Sequence, residues 1–253
     1  MSGFRALAMA VLAVSCSASS LKLRQPVDVS VPTTMVVLGA QAKEGGQQEA
    51  LAGKWHGAIA KATAKFADGY AKAGMKVLDV GGRNVNGNAR SIFEAKGVKF
   101  TCVDMEADPS VDVVIPPGDT FPFADGEFDL VITTSTFEHD PMFWMTIREM
   151  ARVTRMGGFI FATAPSNGNW HGYPGDSYRF YGDAAPSLAF WCGKTYGGLK
   201  AYPIQLEDTY FVNDKEEKWD DNVMVWKRTD TPAATFYKGR PKEHPGGIEP
   251  PKA

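Results

Sequence analysis

The chain has 253 residues, a formal net charge of −2, 44% hydrophobic residues and three cysteines. That length suits one α/β domain with a targeting segment and a tail, and such a domain buries enough surface to fold without covalent staples. The near-neutral balance excludes nucleic acid or an anionic membrane as a partner held by bulk charge. Cys16, Cys102 and Cys192 show no CxxC or paired Cys/His spacing that would hold structural zinc.

In chain order, Arg5, the apolar run ALAMAVLAV and the small residues SCSASS read as a secretory signal cleaved near Ala18. The stretch to Arg24 lacks acids, so an organellar targeting peptide competes with that reading. The expected address is the secretory pathway or an organelle, with the cytoplasm as the alternative. The apolar run is too short for a stable membrane span, and none is expected elsewhere. Residues 1–20 are thus a signal or targeting peptide, 21–48 a linker, 49–238 one folded domain, and 239–253 a Pro/Gly/Lys-rich disordered tail.

Leu51, Trp55, Ile59, Ala62, Phe66 and Tyr70 recur at helical spacing, and Gly74 can end that helix. From Met75 the pattern becomes strand, turn, helix, repeated. MKVLDV is a strand, Asn88 to Lys96 a helix closed by Gly97, and VKFTCVD, VDVVI and FDLVITT are further strands. Asp140-Pro141 caps a helix carrying Trp144, Ile147 and Ala151, which is expected to end at Gly157-Gly158. FIFATA is a fifth parallel strand. Asp183 starts another helix, and late strands fall around Leu199 to Phe211 and Asn222 to Trp226. Short apolar strands alternating with helices predict an α/β fold: a doubly wound, mainly parallel seven-stranded Rossmann-like sheet with helices on both faces. Ligands of such sheets bind beyond the carboxyl ends of the strands.

The first strand ends in Asp79-Val80-Gly81-Gly82, where the glycines permit a sharp turn and close ligand approach. The second ends in Asp104, placed to accept both hydroxyls of a ribose. GGRNVNG lacks the GxGxxG of a dinucleotide site, which counts against a nicotinamide oxidoreductase. An acid two residues before the first glycine suits S-adenosylmethionine, whose methionyl end is cationic and carries no phosphate. Asp79 could equally do no more than cap a turn.

VLDVGGRNVNGNAR resembles the first cofactor motif of class I S-adenosylmethionine-dependent methyltransferases, in a type-11-like branch. FPFADGEFDLVITTSTFEHDPMFW, REMARVTRMGGFIFATAPSNG and HGYPGDSYRFYGDAA are similar to later blocks of that branch, in the same order, over about Val77 to Arg228. The resemblance implies that Asp79 orients the methionyl ammonium, Gly81 and Gly82 make room, Asp104 holds the ribose and Met105 flanks the adenine. It places Thr134 and Ser135 beside the methionyl group, although their hydroxyls could simply satisfy a strand end. Members usually carry an acid near the end of the third strand for the adenine amine. Here IPPGDT puts Pro117 at that position, and Asp119 is the substitute.

For the acceptor, an alcohol must lose its proton, best to a neutral histidine. His139 and His171 fall in loops at the correct edge and are the catalytic candidates. Tyr173, Asp176, Tyr178 and Arg179 could bind a small-molecule or glycan acceptor, Arg179 by a bidentate grip on an anion. His171 and Arg179 could instead pin a long loop to the domain. Glu138 and His139 form a pair that could ligate a divalent metal, but two ligands are too few for a site, and no metal is expected. The implied function is methyl transfer to such an acceptor, with a non-catalytic binding or scaffolding relative as the alternative.

Overall fold

The structure, a computed structural model, describes residues 57–85, 87–172, 175–214 and 219–237. The expected signal segment, linker and tail, and the first turns of the leading helix with Leu51 and Trp55, lie outside those residues.

The elements follow one another as α1 (Gly57–Tyr70), β1 (Lys76–Val80), α2 (Arg90–Glu94), β2 (Lys99–Asp104), β3 (Val113–Val114), β4 (Phe128–Thr134), α3 (Phe143–Val153), β5 (Thr154–Pro165), α4 (Ala184–Cys192), β6 (Ile204–Asp214) and β7 (Trp219–Arg228). They build the expected seven-stranded, doubly wound sheet, in the order β3-β2-β1-β4-β5-β7-β6. β1 to β5 pair in parallel, and β7 runs antiparallel to both β5 and β6.

Strand alternation divides the core between the two faces. Leu78, Val80, Val131, Ile160, Ala162, Met224 and Trp226 pack on one face with Ile147 and Met150 of α3 and Leu188 and Ala189 of α4. Val77, Leu130, Ile132, Phe161 and Val223 pack on the other with Ala62 and Phe66 of α1 and Phe93 of α2. Among the described residues, no helix is long and apolar enough to cross a membrane.

The structure corrects two boundaries. α3 ends at Val153, short of the glycine pair, and Thr154 is already extended at φ −77° and ψ 129°. Gly157 and Gly158 lie inside β5 instead. A Cβ on Gly158 would fall 2.6 Å from the Asp129 carbonyl oxygen, so the glycine serves close approach of β4 rather than a helix end. The last hairpin also begins later than expected. Pro203 lacks an N–H, and its carbonyl accepts from the Thr229 amide at 3.1 Å, so the ladder opens at Ile204.

One buried cation ties α3 to the end of α4. The Arg148 guanidinium donates to the carbonyls of Trp191 (3.3 Å), Lys194 (2.9 Å) and Lys200 (2.5 Å). These include carbonyls left free where a helix stops, and the helix end's partial negative charge favours a cation there. Arg148→Met is expected to strand these acceptors in the interior. Urea unfolding should show a loss of about 2–3 kcal/mol with an unchanged m-value.

Candidate functional site

β1 lies between β2 and β4, with β2 and β3 on one side and β4 and β5 on the other, so the sheet order reverses there. A crevice forms at such a point beyond the carboxyl ends of the strands. Asp79 stands opposite Cys102 and Ile132 in the ladders and is 1% exposed. Neither of its carboxylate oxygens has a hydrogen-bond partner among the described residues. Burial pushes its pKa from 3.8 up to about 7; the Arg90 guanidinium opposes that rise and the Asp104 carboxylate adds to it. A carboxyl group kept in the interior without a donor is costly, and such groups mark functional sites more often than structural ones.

The turn after β1 is as tight as the sequence predicts. Gly81 has φ +72°, and a Cβ there would lie 2.4 Å from the Thr136 side chain. A Cβ on Gly82 would lie 2.4 Å from Asp79 Oδ2. Both amides donate to the Val103 carbonyl, at 2.8 and 3.3 Å, which folds the turn against the end of β2. There Asp104 accepts from the amides of Arg83 (3.3 Å) and Glu106 (3.1 Å). Arg83 also pairs with Glu106 and holds its Nε 4.0 Å from Asp104. Arg83 thus helps to orient the acid.

Met105 follows Asp104 and is 43% exposed. Asp119 is exposed on a turn closed by its own amide on the Pro116 carbonyl (3.2 Å). Cys102 is a buried thiol, pushed up to about 12 by burial.

At the end of β4, Thr134 pairs with Thr163. Ser135 has φ +50°, the one positive φ among the described non-glycine residues, and its amide donates to the Thr163 carbonyl at 3.0 Å. Strain of this kind costs on the order of 1 kcal/mol and concentrates at functional loops. The Thr133 hydroxyl donates to the Val80 carbonyl at 2.7 Å, while the Thr136 hydroxyl lies 3.3 Å from the same carbonyl. Both tie this loop to the glycine turn. Thr136 escaped the sequence reading because a hydroxyl just past a strand end has no distinguishing pattern.

The loops after β4 and β5 meet at the same edge. His139 and His171 pack edge to face, with ring centroids 5.0 Å apart. His139 Nδ1 bonds the Gly175 carbonyl; because a carbonyl only accepts, Nδ1 carries the proton and Nε2 keeps its lone pair. Burial holds its pKa below the usual histidine value. His139 Nε2 lies 3.7 Å from Glu138 Oε1. Glu138 is 1% exposed, and burial lifts its pKa to about 8, with Asp221 and Asp176 adding to the rise. His171 Nδ1 lies 3.1 Å from Asp176 Oδ2, which also accepts the His171 amide at 2.9 Å.

Asp176 and Arg179 face each other. Arg179 Nη2 donates to Asp176 Oδ2 at 2.7 Å, and Nη1 reaches the other oxygen. The guanidinium holds the Asp176 carboxyl well below the usual carboxylate range. Arg179 also donates to the carbonyls of Tyr178 (2.8 Å) and Asn169 (3.0 Å), so its fork is engaged within the loop. Tyr178 packs its ring on Phe143, with centroids 4.9 Å apart. Tyr173 lies outside the described residues. The structure therefore gathers Asp79, Gly81, Gly82 and Asp104 at one end of the crevice. Glu138, His139, His171 and Asp176 cluster in the adjoining loops.

Comparison with known proteins supplies independent findings. Residues 63–162 match a family model described as a methyltransferase domain. The chain is 36% identical over 121 residues to an uncharacterized methyltransferase of Mycobacterium sp. (strain KMS), covering 42% of this chain and 47% of that relative. It is 34% identical over 125 residues to one of Mycobacterium marinum (strain ATCC BAA-535 / M), covering 42% and 48%. The chain thus spans about half the length of the curated relatives it matches. Among solved structures it resembles Burkholderia thailandensis 1,6-didemethyltoxoflavin-N1-methyltransferase, which holds bound 1,6-didemethyltoxoflavin and S-adenosylhomocysteine. That likeness has TM-score 0.56 and 15% identity, over 69% of this chain and 80% of that one. It also resembles the [4+2]-cyclase SpnF, with TM-score 0.53 and 14% identity, over 70% of this chain and 83% of that one.

Proposed function

We propose that this chain, whose residues 63–162 match a methyltransferase domain, is a class I S-adenosylmethionine-dependent methyltransferase that transfers a methyl group to an oxygen of a small-molecule or glycan acceptor. The observation that carries the reading is Asp79, a buried carboxylate whose two oxygens have no hydrogen-bond partner among the described residues, beside the positive-φ Gly81 turn. Such a group calls for a cation from the ligand.

The residues fit the cofactor. Asp79 would meet the methionyl ammonium, the bare backbone at Gly81 and Gly82 would admit the chain, and Asp104 would accept the ribose hydroxyls. When bound, the cofactor supplies an electrophilic sulfonium methyl. The protein's part is to hold an acceptor oxygen close and in line, which supplies much of the rate. His139 and His171 stand at the acceptor edge. A histidine kept neutral, as burial keeps His139, is suited to take the hydroxyl proton.

Titration calorimetry of the full chain with S-adenosylhomocysteine is expected to show micromolar binding, with no response to NADH. Absence of a heat signal with both S-adenosylhomocysteine and S-adenosylmethionine would remove the basis for any methyl transfer. A second reading, a binding module that keeps the fold, draws on the Pro116-Pro117 pair beside the exposed Asp119, where an adenine-binding acid is expected. Cofactor binding without methylation of any acceptor in a broad panel would favour it.

A further inference from the structure

We infer that Glu138, His139 and His171 form a binding site for a divalent transition-metal cation. One potential ligand atom from each residue lies within 4.8 Å of the other two. Two imidazoles and one carboxylate, leaving other coordination positions open, are the donor set of borderline divalent cations such as Fe²⁺, Co²⁺ and Zn²⁺. Ligand atoms about 2.0–2.2 Å from such an ion sit roughly 3–3.5 Å apart, so binding would draw the three groups together by at most about 1–2 Å.

Three features make this more than proximity. Glu138 Oε2 is buried and has no hydrogen-bond partner among the described residues. A carboxylate placed there lacks a counter-charge that a cation would supply. The His139 ring is also held at Nδ1 by the Gly175 carbonyl, and His171 Nδ1 stands 3.1 Å from the Asp176 carboxylate, within ion-pair range. Metal-bound histidines are held in this way: an acceptor on one nitrogen fixes the tautomer and frees the lone pair of the other. Asp176 is in turn fixed by the fork of Arg179. Finally, Glu138 is buried, His139 half-buried and His171 exposed, so the cluster opens to solvent on one side and has an entry path.

The inference rests on this geometry and stands whether or not the chain transfers methyl groups. It bears on the proposed function at one point: an imidazole nitrogen bound to a cation cannot also accept a proton from the acceptor.

The test uses the full chain stripped with a chelator and titrated with Co²⁺, read by its visible d–d absorption. About one equivalent should bind and be displaced by Zn²⁺. His139→Ala and His171→Ala should each weaken binding by roughly tenfold or more, whereas the His56→Ala/His244→Ala double variant should bind as the parent does. Glu138→Gln keeps the shape and removes a buried charge, so it should fold while losing affinity. Failure of Co²⁺ to bind, or binding that survives Glu138→Gln and both single alanine variants, would overturn the inference. S-adenosylhomocysteine binding measured in chelator separates this failure from failure of the cofactor site.

Discussion

Asp104→Ala is expected to weaken S-adenosylhomocysteine binding by about 100- to 1,000-fold while leaving the fold intact. The carboxylate ends β2 and is oriented by the amides of Arg83 and Glu106, at 3.3 and 3.1 Å. Hydrogen bonds from ligand hydroxyls to a charged acceptor are worth about 1.5–3 kcal/mol each, and a ribose offers two. The cost to the empty protein should be small, because the two amides lie near the surface and water can replace the lost acceptor. Asp104→Asn keeps one oxygen and should fall between parent and alanine variant. Calorimetry reads all three proteins. Parent-like affinity in the alanine variant would show that the nucleoside lies elsewhere.

Asp79→Asn should stabilise the empty protein and damage it as a binder. The pKa of Asp79 is raised from 3.8 to about 7 by burial. Below pH 3.8 the carboxyl is protonated in both folded and unfolded chains and contributes nothing to the pH dependence. As pH rises from there to about 7, the unfolded chain releases a proton that the folded chain retains, so stability falls. Above about 7 the loss is complete, and its upper bound is about 4 kcal/mol. Asparagine removes this loss, so the variant should gain stability over the parent at pH 8 and little at pH 4. Glu138 acts with the same sign, from 4.5 to about 8. His139, held below its usual value, acts with the opposite sign near neutral pH. The test is therefore the difference between parent and variant in urea midpoints at the two pH values, in which shared contributions cancel. Cofactor affinity should drop at least tenfold, because the ammonium loses its counter-charge. Binding to the parent near pH 6 should also release a proton, visible as a dependence of the calorimetric heat on the buffer's ionisation enthalpy. A variant no more stable than the parent at pH 8 would mean that Asp79 has donors in solution.

The two predictions are linked. A carboxylate that destabilises the empty fold is retained at the cost of stability, which is the usual sign of a residue kept for a ligand. Ser135 carries a smaller cost of the same kind, a left-handed backbone at the edge of the same crevice.

Much of the cofactor end was legible because it is local in sequence. Asp79, Gly81, Gly82 and Asp104 belong to one strand-helix-strand unit. The short apolar runs of its strands and the glycine turn set their relative positions before any distant contact forms. The end of α3 was not legible: a glycine pair reads as a helix stop, yet Gly158 serves the approach of the Asp129 carbonyl from another strand. Arg179 illustrates the same limit. The sequence left Arg179 as either a ligand grip or a loop pin, and only the folded loop shows its fork occupied by Asp176.

The sequence by itself determined the α/β class, the strand that carries the glycine turn and the two acids that end β1 and β2, because hydrophobic period and turn chemistry are properties of neighbouring residues. Only the tertiary structure decided that Asp79 is a buried carboxyl without a hydrogen-bond partner among the described residues, and that Glu138 and His139 after β4 meet His171 after β5. Those facts depend on β4 and β5 lying side by side in parallel, which brings the loops at their carboxyl ends together. Desolvation and convergence arise from packing between segments far apart in the chain, and no local pattern encodes them.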